Sequence, residues 1–468
     1  MLEALSDRHA RRRRRAKAWG ARLALYGLTV VTDAMPPRIR FGHWQRALGM
    51  LAVAGGLPSI RRDSPAPEVM RLPTPRVENP DVRCLIVAGA LDSGGVENVV
   101  ASLARGLPNH GIQVEVACSL AGRVANALAD EGVRVTVVDD QGLQQLVSSI
   151  APDVIQLHRP NLAHLRGVAR NPERATCVFH AMETYLDAST WQALGQLTRA
   201  SGVSVAVSDS VRAFFTERLG KADIRVVVNG VAATAVEPPN RATARARVAT
   251  AIGCDIEDRD ILVVSLQRFS DQKNAAGLVD SFLLASEQNP RLRLVIAGGT
   301  DSWLEVRRAA VLRESHPSGD RVHLLGDSDP AVILAAGDVF ALDSFSEGGP
   351  LSAIEAVAAG LPIVMSDVGF ARRLAAEACV RAVVVPRANR SHSQRDIARQ
   401  RRRRHQSNRE DFAEALVEVA REPDGPRAAR IPSSFHEAAM VRAHAEVLRE
   451  VACRSRALPT SGEGPDLQ

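Results

Sequence analysis

The sequence predicts an α/β protein of two Rossmann-like domains, with parallel sheets facing each other across a cleft. Three observations predict it. From Val82 onward, short apolar runs of strand length alternate with segments of helical spacing, an order that favours parallel strands joined by right-handed crossovers. The alternation runs twice, with a pause over residues 232–257 that holds Pro238, Pro239, an alanine- and arginine-rich helical stretch and an acidic turn. And 468 residues supply two ordinary domains with sizeable cores, plus extensions.

Taken in order, residues 1–57 form a basic and apolar N-terminal extension. The run Arg11–Arg15 precedes an apolar stretch, Leu23–Val31, and a second apolar stretch spans Ala47–Leu57. Neither is long enough for a membrane-crossing helix, which needs about 20 apolar residues. A basic patch beside an apolar helix predicts peripheral contact with a membrane surface, or with a partner. The alternatives are a helical extension, packed on the body or partly disordered, and a cleaved signal. Residues 58–81 are proline-rich and read as a linker.

The first domain, residues 82–235, opens with the apolar run VRCLIVAGA, a DSGG turn and VENVVASLARGL, whose Val96, Val99, Val100, Leu103 and Leu107 share a helical face. Strand-like IQVEVAC, VRVTVVD, PDVIQLH, TCVFHA, VSVAVSD and IRVVVNG follow. The second domain, residues 236–435, has ILVVSL, LRLVIAGG, RVHLLG, GDVFAL, PIVMSD and AVVVP. A polar, arginine-rich segment, residues 387–410, interrupts it and reads as a mobile surface insertion. Residues 436–456 form a C-terminal amphipathic helix, and 457–468 a disordered tail.

Composition narrows the function. With 46% hydrophobic and 24% charged residues the chain is an ordinary globular protein. Its 59 basic residues against 53 acidic ones are concentrated in two arginine runs with few aromatics nearby, which argues against a nucleic-acid partner. Six cysteines are spread singly, at 84, 118, 177, 254, 379 and 453. That spacing predicts no zinc knuckle or disulfide framework, and a cytoplasmic, reducing setting.

The segment EGGPLSAIEAVAAGLPIVMSDVG, Glu347 to Gly369, carries the most chemistry. A buried strand, GDVFAL, runs into a Gly-Gly-Pro turn and then a helix. Pro350 suits the first helical turn, and Gly348 and Gly349 let backbone approach a ligand. The free N–H groups there favour a phosphate or a sugar. Glu347 and Glu355 flank the turn, eight positions apart, and would reach different parts of one elongated ligand. The plain alternative is a solvated helix start with two surface glutamates.

This segment resembles the carboxylate motif of the retaining glycosyltransferases commonly called family four, glycosyl transferases group 1. The resemblance extends along most of the chain. In such enzymes an arginine after a strand is followed by a lysine, and ILVVSLQRFSDQKN supplies Arg268 and Lys273. An arginine fork and a lysine point charge suit a diphosphate leaving group as its negative charge builds. The resemblance implies the GT-B arrangement, with the donor diphosphate held by these two cations and the ribose hydroxyls by Glu355. It places Glu347 near the transferred sugar and Gly348, Gly349, Pro350 and Leu351 around sugar hydroxyls or phosphate.

Gly94 and Gly95 match the family's Gly-Gly loop, although their spacing makes neither GxGxxG nor a P-loop. His180 matches a histidine lining the donor and acceptor cleft, and His158 a second common one. Departures are Gln156, where many members have another histidine, Gln267, Asn274 and Asp343. The catalytic set that the resemblance implies is Glu347, His180, Arg268 and Lys273.

The implied activity is retaining, metal-independent transfer of a hexose from a nucleotide-diphosphate sugar to an acceptor that is a glycan, a lipid-linked molecule or a small molecule. No cofactor is expected, since no Asp-x-Asp motif stands at a strand end with an obvious metal role. The alternatives are a nucleotide-sugar epimerase or hydrolase of the same fold, and a non-catalytic scaffold.

Overall fold

The computed structural model describes residues 20–35, 39, 40, 44, 47, 48, 50, 77–92, 94–220, 223–232, 239–421 and 430–457. The Arg11–Arg15 run, most of the linker, most of the second apolar stretch and the tail beyond Ala457 lie outside the described residues. The chain divides into two compact units. One comprises Glu68–Ala233, Glu347–Ile354 and Ile431–Gln468, and the other Met1–Pro67, Thr234–Ser346 and Glu355–Arg430.

The first of these holds seven parallel strands: β1 (Val82–Leu91), β2 (Ile112–Ala121), β3 (Arg134–Val137), β4 (Val154–His158), β5 (Ala175–Phe179), β6 (Ser204–Ala206) and β7 (Ile224–Val226). They lie in the order β3-β2-β1-β4-β5-β6-β7. Leu85, Ile86 and Val87 of β1 are fully buried, as expected for a central strand covered on both faces. The helix Gly95–Gly106 packs Val99, Val100 and Leu103 inward, with Glu97 in its first turn and Arg105 in its last, in the sense the helix dipole favours. The terminal helix Glu437–Ala457 belongs to this unit and buries Met440, Val441, His444 and Leu448. Arg225 on β7 pairs with its Glu450 at 2.5 Å.

The other unit holds six parallel strands: β8 (Ile261–Leu266), β9 (Leu292–Ala297), β10 (Val322–Leu325), β11 (Val339–Leu342), β12 (Ile363–Ser366) and β13 (Ala382–Val385). Their order is β10-β9-β8-β11-β12-β13. One core joins Phe282 of helix Ala275–Gln288 to Phe412 and Leu416 of helix Arg409–Arg421 over the sheet. Each sheet therefore reproduces the Rossmann order, in which the strand sequence reverses direction beside the first strand.

The arginine-rich segment departs from the expectation of a solvated, mobile insertion. Residues Gln394–Arg402 are helical, and Arg401 is only 1% exposed. Its guanidinium pairs with Glu305, with Asp33 at 2.8 Å and with Asp271 at 3.2 Å. A run of like charges reads as solvated from sequence, but carboxylates distant in the chain neutralise this arginine inside the protein.

Asp33 ends a helix over residues 20–34. That helix is seated on the same unit, where Arg22 donates to Ser315 Oγ at 2.8 Å and Asp33 accepts from Arg402 at 2.9 Å. Arg40 bonds both Asp33, at 2.9 Å, and Asp271. Glu305 takes a further arginine, Arg308, at 2.8 Å. Burial works to raise the Asp33 carboxyl, but Arg401, Arg40 and Arg402 outweigh it and hold the group below its ordinary range. Among the described residues no helix is long and apolar enough to cross a membrane.

A second polar clamp sits beneath β11. Asp343 is 1% exposed and accepts from Asn274 Nδ2 at 3.0 Å and Asn408 Nδ2 at 2.9 Å. Burial pushes its carboxyl up to about 7 against the pull of those two amides.

These two clusters generate two expectations. Arg401→Ala strands Glu305 without its closest partner and lowers stability by on the order of 3–5 kcal/mol, whereas Arg404→Ala, at an exposed position, stays within about 0.5 kcal/mol. Chemical denaturation of the two variants measures the contrast.

For Asp343 the folded-state value lies above the ordinary one, so its protonated form favours folding. That contribution is whole below about pH 4 and is lost as the pH rises through about 7. Between about pH 5 and pH 8 the loss is on the order of 2–3 kcal/mol. Denaturation at both pH values should show a smaller difference for Asp343→Asn than for the unmodified protein.

Candidate active site

Open parallel sheets bind ligands beyond the carboxyl ends of strands where the order reverses. In the six-stranded sheet that point lies between β8 and β11, which pair directly. Arg268 and Lys273 follow β8, and Glu347, Gly348 and Gly349 follow β11. In the seven-stranded sheet the point lies between β1 and β4, also directly paired. Gly94 and Gly95 follow β1, and His158 closes β4. The predicted site residues thus gather at the reversal point of each sheet, apart from His180, which follows the neighbouring β5, and Glu355.

In the six-stranded unit the loop after β8 is shaped by its backbone. Gln267 N donates to Ala297 O at 3.0 Å and Phe269 N to Gly299 O at 2.8 Å. Phe269 is fully buried and Arg268 beside it is exposed, paired with Asp301 at 2.8 Å. The bond Lys273 N to Ser270 O, at 3.2 Å, closes the turn, and Phe345 N donates to Gln272 O at 2.8 Å, tying the loop to the segment after β11. Lys273 is half-buried. The following Asn274 takes the left-handed conformation, with φ 51°, and its side chain carries the bond to Asp343. Glu355 lies in helix Leu351–Ala358, partly buried, and burial raises its carboxyl above the ordinary range.

The seven-stranded unit takes in the segment Glu347–Ile354. Asn229, after β7, donates to Gly349 O at 3.1 Å. A Cβ on Gly348 would stand 1.7 Å from the carbonyl oxygen of His180, so only glycine fits there. Gly94 has φ 148°, and a Cβ on it would meet the Glu97 carboxylate at 2.5 Å. Glu347 is 9% exposed, and Pro350 stands immediately before the helix.

His180 and His158 are hydrogen-bonded to each other, His180 Nε2 to His158 Nδ1 at 2.9 Å. His158 Nε2 reaches Gln156 Oε1 at 3.1 Å, and Gln156 Nε2 reaches His444 Nδ1 at 3.0 Å. A carbonyl oxygen only accepts, so with this amide orientation His158 carries its proton on Nε2 and offers Nδ1 to a proton on His180 Nε2. Burial, then Arg159 and His444, push His180 down to about 3. Burial, then His180 and His444, hold His158 well below the ordinary value. Both rings are therefore neutral near pH 7.

Several residues beside these were not singled out from sequence. Arg159, with φ 49°, pairs with Glu183 at 3.1 Å and bonds Tyr185 next to His180. Asn229, Asp271, His444 and Asn408 are buried polar groups whose partners are remote in the chain. Only the Asn229-Gly230 pair carried a local signal, that of a turn after a strand.

The family model described as "Glycosyl transferases group 1" matches residues 254–416, and the one described as "Glycosyltransferase Family 4" matches residues 93–234. Alpha-monoglucosyldiacylglycerol synthase of Streptococcus pneumoniae (strain ATCC BAA-255 / R6) is 25% identical over 227 residues, which are 45% of this chain and 51% of that protein. EpsF of Bacillus subtilis (strain 168) is 26% identical over 172 residues, 36% of this chain and 43% of that one. The chain thus spans about half the length of the curated relatives it matches.

Among solved structures, Anabaena HepE in complex with UDP and glucose aligns with a TM-score of 0.56 at 18% identity, over 79% of this chain and 100% of that one. Sucrose-phosphate synthase from Thermosynechococcus elongatus aligns at 0.58 and 17%, over 80% and 99%. At these identities the likeness concerns the fold, two α/β domains of the GT-B type. With the two family models matching β2–β7 and β8–β13, together well over half of the chain, the chain belongs to the glycosyl transferases group 1.

Proposed function

We propose that the protein is a retaining glycosyltransferase that moves a sugar from a nucleotide-diphosphate donor to an acceptor, without a metal ion. The observation that carries this reading is the placement of Arg268, Lys273, Glu347, Gly94 and His158 at the reversal points of the two sheets. Anabaena HepE, one of the structural neighbours, was solved with UDP and glucose, which supports a nucleotide-sugar donor here.

In this reading the six-stranded unit holds the nucleotide. Arg268 and Lys273 bind the diphosphate, and their interactions strengthen as the sugar–phosphate bond breaks and charge collects on the leaving oxygens. They supply the positive charge that a divalent ion would otherwise bring. Glu355 accepts from the ribose hydroxyls; its raised carboxyl means that donor binding, by supplying hydroxyl donors, favours the ionised form.

The seven-stranded unit holds the transferred sugar and the acceptor. Neutral His180 and the backbone around Gly348 and Gly349 hydrogen-bond sugar hydroxyls, and Glu347 lies by the sugar. Reaction occurs on the donor's front face, with the leaving diphosphate helping to take the acceptor's proton. The six cysteines, all free, support a reducing, cytoplasmic setting.

A membrane-surface contact belongs to the same proposal. The helix over residues 20–34 buries Thr29, Thr32 and Asp33 but leaves Leu23, Tyr26 and Val31 about half exposed. A helix that turns its polar side inward and apolar side outward suits a lipid interface.

The central test is a thermal-shift panel of nucleoside diphosphates and nucleotide sugars, followed by NMR of the product's anomeric configuration. Retention supports the reading, and inversion rejects it. Slow hydrolysis alone is expected without acceptor, while rapid epimerisation or hydrolysis would favour those activities instead. Lys273→Ala should lower turnover about ten-fold to a thousand-fold, and near-normal turnover at saturating donor would remove its role. For the membrane contact, Leu23→Ser, Tyr26→Ser and Val31→Ser combined should reduce sedimentation with anionic liposomes; unchanged sedimentation would reject it.

A further inference from the structure

Between Phe269 and Asn274, both buried, the loop that carries Arg268 and Lys273 has one buried side chain, Asp271, at 6% exposure. Ser270, Gln272 and Lys273 are half-buried. The loop is therefore anchored at its middle by a carboxylate, and no apolar contact replaces it there. Both oxygens of that carboxylate are taken: Oδ2 by Arg40 from the N-terminal segment, and Oδ1 by Arg401 at 3.2 Å. Those two arginines are fixed in turn by Asp33, which bonds Arg40 at 2.9 Å and Arg401 at 2.8 Å, and by Glu305, fully buried against Arg401.

We propose that Asp271 is a positioning residue for the donor-diphosphate loop, held by Arg40 and Arg401, so that the N-terminal segment is a working part of the nucleotide site. The inference rests on the reading of Arg268 and Lys273 as diphosphate ligands. Its physical basis is charge. Paired with two guanidiniums, the Asp271 carboxylate is neutralised and is held away from the loop's own cations, Arg268 and Lys273. Without Arg40 the same carboxylate lacks half its compensation. It then turns toward the loop's own cations and repels an incoming diphosphate. Asp271 touches no substrate; it acts through the loop.

The test measures binding of UDP, ADP and GDP to the full chain by calorimetry, with circular dichroism to confirm folding. For whichever diphosphate binds the unmodified protein, Arg40→Met should weaken affinity about ten-fold, and Arg40→Lys should recover part of it. Asp271→Asn added to Arg40→Met should also recover affinity, because it removes the stranded charge; a purely structural contact would show further loss. Should Arg40→Met prove poorly folded, Arg40→Lys alone and with Asp271→Asn carries the same comparison.

Wild-type affinity in folded Arg40→Met, with Lys273→Ala impaired, overturns the inference and leaves the functional reading standing. Affinity unchanged in Lys273→Ala, or no diphosphate binding by the unmodified protein, overturns the functional reading and the inference with it.

Discussion

Every strand of both sheets runs parallel to its neighbours, and this constraint decides where chemistry is possible. Parallel strands deliver their carboxyl ends to one edge, and the order 3-2-1-4 opens a gap in the crossovers at that edge, between the first and fourth strands. Loops leaving β8 and β11 in one unit, and β1 and β4 in the other, meet at such gaps. The strands flanking these gaps, β1, β4, β8 and β11, are largely buried, so they act as fixed posts. What varies is the loop chemistry placed on them.

The loops are held by buried polar groups as well as by the buried rings of Phe269 and Phe345. Asp343 receives two amides under β11, and Asp271 receives two guanidiniums under the loop after β8. Burial penalises each charged group, so the arrangement is tolerable only while the partners stay in place. Such clusters are poor sources of stability but strong determinants of geometry. They also connect distant parts of the chain: Asp33 and Arg40, the loop after β8, Glu305 and the helix Gln394–Arg402 share one set of charges. The same N-terminal helix that offers an apolar face to solvent therefore takes part in shaping the loop with Arg268 and Lys273.

In the seven-stranded unit the control is exercised by hydrogen bonding. The line His180, His158, Gln156, His444 runs from the end of β5 to the terminal helix. Because the rings are neutral, each bond fixes a tautomer, and the Gln156 amide sets the direction of the whole line. Glutamine at position 156, noted from sequence only as a departure from a more usual histidine, has a defined structural task.

The sequence alone determined the strands, because a doubly buried parallel strand must be a short apolar run, and the two series of such runs are unmistakable from Val82 to Val385. It also located the glycines and charges of the candidate site, since a turn after a strand and a helix start leave local marks in Gly94, Gly95, Gly348, Gly349 and Pro350. Only the tertiary structure decided which charges are buried. A run of arginines looks the same whether solvated or not, and the burial of Arg401 depends on Asp33, Asp271 and Glu305, none of them near it in the chain. Ion pairing and tautomer choice are set by three-dimensional neighbours, and no periodicity in the sequence encodes them.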